Sequence, residues 1–391
     1  MNLTAEDLRR AMQRGEFSFH YQPKVSFLSG RVEGAEALIR WRLPDGTLVP
    51  PNDFIPLVEA EGMIAEVTRH MFPRLLEDLS RIHAERGEDR LAFNISANEL
   101  DDPGLIHLVH DAIESGRLRG PHLEIEITEG VAVSRQEIIV RRLTELLEAG
   151  VSLAMDDYGT GFSSLETLSR LPFSALKLDQ SFVTRMLHSA KAATMVRTSI
   201  AMAQLLGIRS VMEGVETEQA YRMLLHYGCS EAQGYWISPP LALTEYLDFR
   251  GRDQAWPCSP IGMLRMAQLT HAWQYKLLVD TLFAYLEHPD NPGAIPRHLH
   301  MSHQECALGD WYHGLGQALS GDPDFDSLDG PHRRMHDLCG EMLDATRRQA
   351  PRDVIRALMT DLAEQSNALS SSLQRLETRL LFEELQKLGL D

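Results

Sequence analysis

Between residues 17 and 240 the chain repeats one pattern, a short β-rich run followed by a longer amphipathic stretch. The short runs are FSFHYQP (17–23), VEGAEALIRW (32–41), LAFNIS (91–96), LEIEIT (123–128), VSLAMDD (151–157), ALKLD (175–179), RSVMEGV (209–215) and QGYWIS (233–238). Helical patterns such as RRLTELLEAG separate most of them. Eight strands alternating with helices predict an α/β barrel. The first connection, SFLSGR, is too short for a crossover helix. The first two strands are therefore expected to pair antiparallel, which makes the fold a modified TIM (β/α)8 barrel with one antiparallel strand.

Residues 248–260, DFRGRDQAWPCSP, interrupt the pattern with Gly, Pro and charge and read as a linker. Beyond it every segment has helical periodicity. The stretches around GMLRMAQLTHAWQYKLLVDTLFAYLEH, CALGDWYHGLGQAL and GPHRRMHDLCGEMLDATRRQ, with a long last segment, predict an all-α four-helix bundle. In the last segment Ile355, Leu358, Leu362, Leu369, Leu373, Leu376 and Leu380 recur at near-heptad spacing, as a bundle or dimer seam requires. The domains expected are a barrel over 1–247, a linker over 248–260 and a helical domain over 261–391.

Composition narrows the chemistry. The 391 residues carry a formal net charge of -18 and a hydrophobic fraction of 43%, enough for a large core. So acidic a chain is unsuited to a nucleic-acid polymer, which is held mainly by Lys and Arg at its phosphates. A small phosphate ester remains open to it, because divalent cations held by carboxylates can supply the positive charge. Cys229, Cys258, Cys306 and Cys339 form no CxxC pair, which suits a reducing cytosol. The N-terminal stretch is polar, and no apolar run reaches the roughly 18 residues of a membrane helix. The expected location is cytoplasmic, with no membrane partner.

Most of the short runs end in a polar or charged residue, and in α/β barrels the chemistry sits at the C-terminal rim of the strands. A period of two puts Glu36, Leu38 and Arg40 on one face, Glu124, Glu126 and Thr128 on another, and Lys177 with Asp179 on a third. A rim of Glu36, Asn94, Glu126, Asp156, Asp157 and Glu213 is a set of hard oxygen donors. Unpaired, so many carboxylates would raise one another's pKa; Mg²⁺ or Mn²⁺ would relieve this.

EALIRW (36–41), FNIS (93–96), EITE (126–129), DDYGTGFSSL (156–165), LKLDQSFV (176–183), EGVET (213–217) and QGYWISPP (233–240) occur in the order of the motifs of EAL-type cyclic di-GMP phosphodiesterases. Residues 10–245 therefore resemble that family. The resemblance implies hydrolysis of cyclic di-GMP to linear pGpG with two Mg²⁺ or Mn²⁺ ions. Glu36, Asn94, Glu126 and Asp156 match ligands of the first metal. Asp156 would bridge to a second, which Asp157 also binds, with Glu213 nearby. Lys177 matches the lysine that orients or deprotonates the attacking water, and Gln233 a glutamine of the same water network. Gln22, Leu38, Arg40, Asp179, Glu216 and Tyr235 match substrate-side positions. Arg40 suits a phosphate because guanidinium is a planar bidentate donor. Glu129 matches a residue that fastens the loop after Asp157, in which Gly159 and Gly161 permit tight turns. Tyr158 and Phe162 exchange the family's usual aromatic types.

In the helical part His271 lies on an apolar seam with Leu264, Tyr275 and Leu278. His332 and His336 are i, i+4 on one helix face. With Cys306 they make a four-ligand set suited to tetrahedral Zn²⁺. HQECALGDWYHGLG followed by GPHRRMH resembles the chemoreceptor zinc-binding family, a four-helix domain with a His–Cys–His–His site. The match covers about residues 265–345. Here Trp273 follows His271 by two residues rather than the family's three, so His303 stays an alternative to His271. The resemblance implies one Zn²⁺ and control of an attached output domain by zinc or by oxidation of Cys306. A homodimer is expected. The alternative function is a catalytically inactive cyclic di-GMP-binding effector with a structural zinc.

Overall fold

The computed structural model describes residues 3–132, 137–159, 168, 171–252, 254–287, 302–348 and 350–387. The chain divides into two compact units. One comprises Met1–Val196, Ile208–Leu224 and Ser230–Pro257; the other comprises Arg197–Gly207, Leu225–Cys229 and Cys258–Asp391.

In the first unit the described residues form ten strands: β1 (Phe17–Ser26), β2 (Val32–Arg42), β3 (Leu48–Val49), β4 (Arg90–Asn94), β5 (Leu123–Thr128), β6 (Ser152–Tyr158), β7 (Ala175–Leu178), β8 (Arg209–Met212), β9 (Glu231–Ala232) and β10 (Leu241–Ala242). The order β1-β9-β8-β7-β6-β5-β4-β2, with β2 pairing back onto β1, closes an eight-stranded barrel. As the short first connection requires, β1 is antiparallel to both β2 and β9. The other barrel neighbours are parallel. The two-residue arms β3 and β10 extend β2 and β1.

The eighth barrel strand falls earlier than the pattern suggests. It is Glu231–Ala232, and QGYWIS leaves the ladder. There the Gln233 carbonyl accepts from the Val215 N–H at 3.1 Å, and the Val215 carbonyl accepts from the Trp236 N–H at 3.0 Å. The segment is thus held by the loop after β8. The helix Leu243–Arg250 also runs into the stretch expected to be linker.

Amphipathic helices cover the barrel. Helix Ile64–Arg86 buries Val67, Met71, Leu75, Leu79 and Ile82 along one stripe, as a 3.6-residue period dictates. Inside, small residues Ala154, Ala175 and Val211 pack together.

The second unit contains the helices Ile261–Glu287, Ala307–His313, Asp329–Arg347 and Arg352–Lys387. In the last helix Ile355, Leu362, Leu369, Leu373, Leu376 and Leu380 are buried by the chain's own helices, while Leu358 is half-buried. The heptad seam is consumed within the bundle. Its flanks are tied by Arg334 to Asp361 at 2.8 Å and by Arg265 to Glu377 at 2.7 Å.

Candidate active site and candidate metal site

Barrel register carries the expected residues to one rim. Gln22 lies opposite Glu36 across β1 and β2, Asn94 opposite Glu126 across β4 and β5, and Thr128 opposite Asp156 across β5 and β6. Consecutive strand residues face opposite sides, so Asp156 and Asp157 should diverge. They do not, because the β6–β7 register slips between Met155 and Tyr158. Asp157 there adopts φ 56°, the one positive φ of a non-glycine among the described residues. Its N–H donates to Asp156 Oδ1 at 2.9 Å. Such a conformation costs about 1–3 kcal/mol and persists where the surroundings enforce it. The slip gathers ligand oxygens of Asp156, Asp157 and Glu213 within 4.8 Å of one another.

Lys177 bridges this trio to the other acids. Its Nζ is 2.5 Å from Glu126, 2.7 Å from Glu213, 3.1 Å from Asp156 and 3.7 Å from Glu36. One ammonium thus faces four carboxylates. Burial pulls the Lys177 pKa down, but Glu126, Glu213, Glu36 and Asp156 outweigh it and hold the group cationic, well above the ordinary lysine value. The acids respond unequally. Burial, with Asp156 and Glu36 close by, pushes Glu213 up to about 8 despite Lys177. Burial first, then Asp156 and Asp179, raises Asp157. Burial also raises Glu126, against Lys177 and Lys24. At Glu36 burial is overcome by Lys177 and Lys24, and the pKa falls. A rim in which one cation cannot neutralise its carboxylates, all with hard oxygen donors, fits Mg²⁺ or Mn²⁺.

Glu36 is held by two amides: Asn94 Nδ2 donates at 2.6 Å and Gln233 Nε2 at 2.5 Å. Gln233 Nε2 also donates to Gln22 Oε1 at 2.9 Å, and Gln22 donates to the Ser238 carbonyl at 3.2 Å. Gln233 Oε1 is buried with no hydrogen-bond partner among the described residues, an acceptor waiting for a water or ligand.

Of the substrate-side residues, Leu38 and Arg40 are half-buried, Glu216 is exposed and Tyr235 is 68% exposed. Burial lowers the Arg40 pKa, against the charges of Tyr235 and Glu36. Asp179 has a structural task as well: its side chain accepts from the Ser181 N–H at 3.0 Å and caps the helix Gln180–Met186. Glu129 is buried at the end of β5, and after burial itself its charge is what raises the Tyr158 phenol. Gly159, at φ 91°, packs on the Phe182 ring where a Cβ would collide. Gly161 and Phe162 lie outside the described residues.

Sequence reasoning missed Lys24. It is buried, and its Nζ reaches Glu126 at 2.7 Å and Glu124 at 3.4 Å. Glu124, read as a rim-face neighbour, instead anchors an ionic layer with Arg209, Arg90 and Glu231. The signal was present: Lys24 is two residues beyond Gln22 and shares its face.

In the helical unit His271, Cys306, His332 and His336 bring one ligand atom each within 4.8 Å of one another. His303 belongs to a different cluster, so geometry selects His271. His271 Nδ1 donates to the Ala267 carbonyl at 2.8 Å, which leaves Nε2 as the lone pair. That Nε2 is buried with no hydrogen-bond partner among the described residues. Cys306 Sγ lies 3.2 Å from His332 Nε2. Burial lowers the His271 pKa to about 4, and burial with the neighbouring imidazoles lowers that of His332 to about 2. Burial raises the Cys306 thiol, against the N–H groups of Gly309 and Leu308. Neutral imidazoles, one with an orphaned buried nitrogen, and a thiol fit a closed Zn²⁺ site.

A family model described as EAL domain matches residues 5–240, and one described as chemoreceptor zinc-binding domain matches residues 277–343. The second match begins beyond His271, whose place rests on the geometry above. The chain is similar to the cyclic di-GMP phosphodiesterase NbdA of Pseudomonas aeruginosa, 39% identical over 245 residues, 62% of this chain and 31% of that protein. It is also similar to the cyclic di-GMP phosphodiesterase RocR of the same organism, 34% identical over 244 residues and covering 62% of each. Among solved structures, the PaMucR phosphodiesterase in complex with c-di-GMP aligns with TM-score 0.58 at 33% identity, over 62% of this chain and 98% of that chain. The chain thus spans less than two thirds of the length of these curated relatives. No helix among the described residues is long and apolar enough to cross a membrane.

Proposed function

The chain belongs to the EAL domain family and carries a chemoreceptor zinc-binding domain after the barrel; from this premise we propose that it hydrolyses cyclic di-GMP to linear pGpG. The observation that carries the reading is the buried Lys177 ammonium among four carboxylates, beside the Asp156–Asp157–Glu213 trio.

Glu36, Asn94, Glu126 and Asp156 would hold one Mg²⁺ or Mn²⁺, and Asp156, Asp157 and Glu213 a second. Two such ions supply a lowered water pKa and charge neutralisation at the phosphoryl oxygens. The chain's own groups do the rest. Lys177, kept cationic by its neighbours, orients the attacking water and stabilises charge on the phosphoryl oxygens. Gln233 Oε1 accepts a hydrogen bond from that water. Arg40 pairs with a phosphate, and Tyr235 offers an exposed ring to the substrate. Gln22, Leu38, Asp179 and Glu216 line the substrate side, and Glu129 steadies the loop after Asp157. Water oxygen joins phosphorus, the ester oxygen leaves with a proton, and a linear dinucleotide results.

His271, Cys306, His332 and His336 hold one Zn²⁺, and zinc or oxidation of Cys306 adjusts hydrolysis. Leu269 and Trp273, exposed and one turn apart, support a homodimer. The proposed domains are a barrel over 1–247 and a helical regulator over 261–391, joined by 248–260. The four free thiols suit the cytoplasm as the site of action.

The test is hydrolysis of cyclic di-GMP by the purified chain with Mg²⁺, with and without zinc and a zinc chelator. Conversion to pGpG that changes with zinc is expected. Binding without conversion would make the barrel a cyclic di-GMP-binding module. Conversion insensitive to both zinc and chelator would leave the zinc a structural role only.

A further inference from the structure

The helical unit holds a second cluster of metal-binding groups beside the first. His303, His313 and Asp329 bring a ring nitrogen or carboxylate oxygen within 4.8 Å of one another. We propose that these three residues form a separate, water-open site for a divalent transition-metal ion of the zinc class. The inference does not depend on the barrel's activity.

The fold brings the three together from separate places. His303 precedes the helix Ala307–His313, His313 ends it, and Asp329 opens the helix Asp329–Arg347. His303 is pinned by its backbone: its carbonyl oxygen occupies the space a Cβ at Gly309 would need. Any side chain at position 309 would push His303 away from the helix. The His303 and His313 ring centroids are 5.8 Å apart.

Asp329 carries the second observation. One carboxylate oxygen pairs with Arg333, whereas Oδ1 is buried with no hydrogen-bond partner among the described residues. A buried acceptor left unsatisfied costs about 1–3 kcal/mol. A cation between the carboxylate and the two imidazoles would remove that cost.

The chemistry of the set indicates the ion. Two imidazoles and one carboxylate are borderline nitrogen and oxygen donors, which suit zinc-class transition metals better than Mg²⁺ or Ca²⁺. Zinc bonds of about 2.0–2.1 Å place ligand atoms roughly 3–4 Å apart, so small side-chain rotations close the cluster. His303 and Asp329 are half-buried and His313 is exposed, so solvent reaches the ion and water fills its remaining positions. The inner set, with four protein ligands, is closed. The two sites are near neighbours: the His303 and His332 rings are 6.1 Å apart, and Cys306 Sγ lies 3.7 Å from the His303 carbonyl. The structure thus assigns the helical unit one buried ion and one exchangeable ion.

Zinc stoichiometry of the full chain, titrated with zinc alone against a competing chelator, tests this. Wild type should bind one equivalent more than His313→Ala, and Asp329→Asn should weaken the same equivalent at least about tenfold. Zinc taken up by the barrel acids is common to all variants and cancels. Because His313 is exposed, its replacement should leave the fold intact. In cobalt-loaded protein the thiolate-to-metal band reports Cys306 and should persist in His313→Ala. Equal stoichiometry in wild type and both variants would overturn the proposal. Loss of the cobalt–thiolate band in His313→Ala would also overturn it, since His313 would then serve the inner site.

Discussion

At the barrel rim one buried ammonium is surrounded by four carboxylates, whereas in the helical unit three imidazoles and a thiol meet without their charges. Both arrangements favour a metal, for opposite reasons. The rim has an excess of negative charge that Lys177 only partly offsets, so a cation relieves repulsion. The helical set is kept neutral by burial, so a cation must first displace the Cys306 proton. Ligands can thus be prepared either by crowding charge or by excluding it. The first demands an internal counter-ion, and the second demands a dry pocket.

The sharpest way to break the contrast is at the counter-ion. Lys177→Ala should reduce cyclic di-GMP hydrolysis by about 10³-fold or more, while calorimetry still detects substrate binding. Glu36→Ala should remove hydrolysis as well. Full turnover by Lys177→Ala would overturn the assignment.

Acid separates the two regions next. In zinc-free protein His271 has a folded pKa of about 4, below its ordinary 6.5. The unfolded chain then takes up a proton first, so the helical unit loses stability as pH falls from 6.5 to 4. In the barrel, burial acts to raise Glu124, but Lys24, Arg209 and Arg90 prevail and hold it at about 2, below its ordinary 4.5. Its contribution is complete above 4.5 and disappears between 4.5 and 2. Each loss is on the order of 3 kcal/mol. Circular dichroism on acidification should show helical loss before barrel loss; the reverse order would contradict these electrostatics.

At the thiol, Cys306→Ala should weaken zinc binding by about 10²-fold in a chelator competition, with barrel hydrolysis in zinc-free buffer unchanged. Unaltered affinity would exclude Cys306 from the inner set. The smallest effect concerns Asp179. Asp179→Ala should lose about 1 kcal/mol of thermal stability through the cap, and Asp179→Asn very little. If Asp179→Asn nevertheless raises KM, the residue also meets substrate.

The order of motifs, the antiparallel first strand and the His332–His336 pair were legible because they depend on local periods of 2 and 3.6 residues. Lys24 was not. Nothing local reveals which strand-facing lysine will be buried against acids a hundred residues later. The position of β9 was missed because QGYWIS has a strand-like composition, yet its backbone bonds go to Val215. Similarly, spacing alone left His271 and His303 as alternatives.

The sequence by itself determined which donors exist, their order on the strands, and the apolar faces that bury them. Tertiary structure decided which donors meet. Barrel closure slipped the β6 register, turned Asp157 to φ 56° and so aimed two consecutive carboxylates at Glu213. Helix packing placed His271 with Cys306 and left His303 with Asp329. The physical reason is range: side-chain periodicity is set by neighbours along the chain, while charge balance and register depend on groups that only folding brings within a few ångströms.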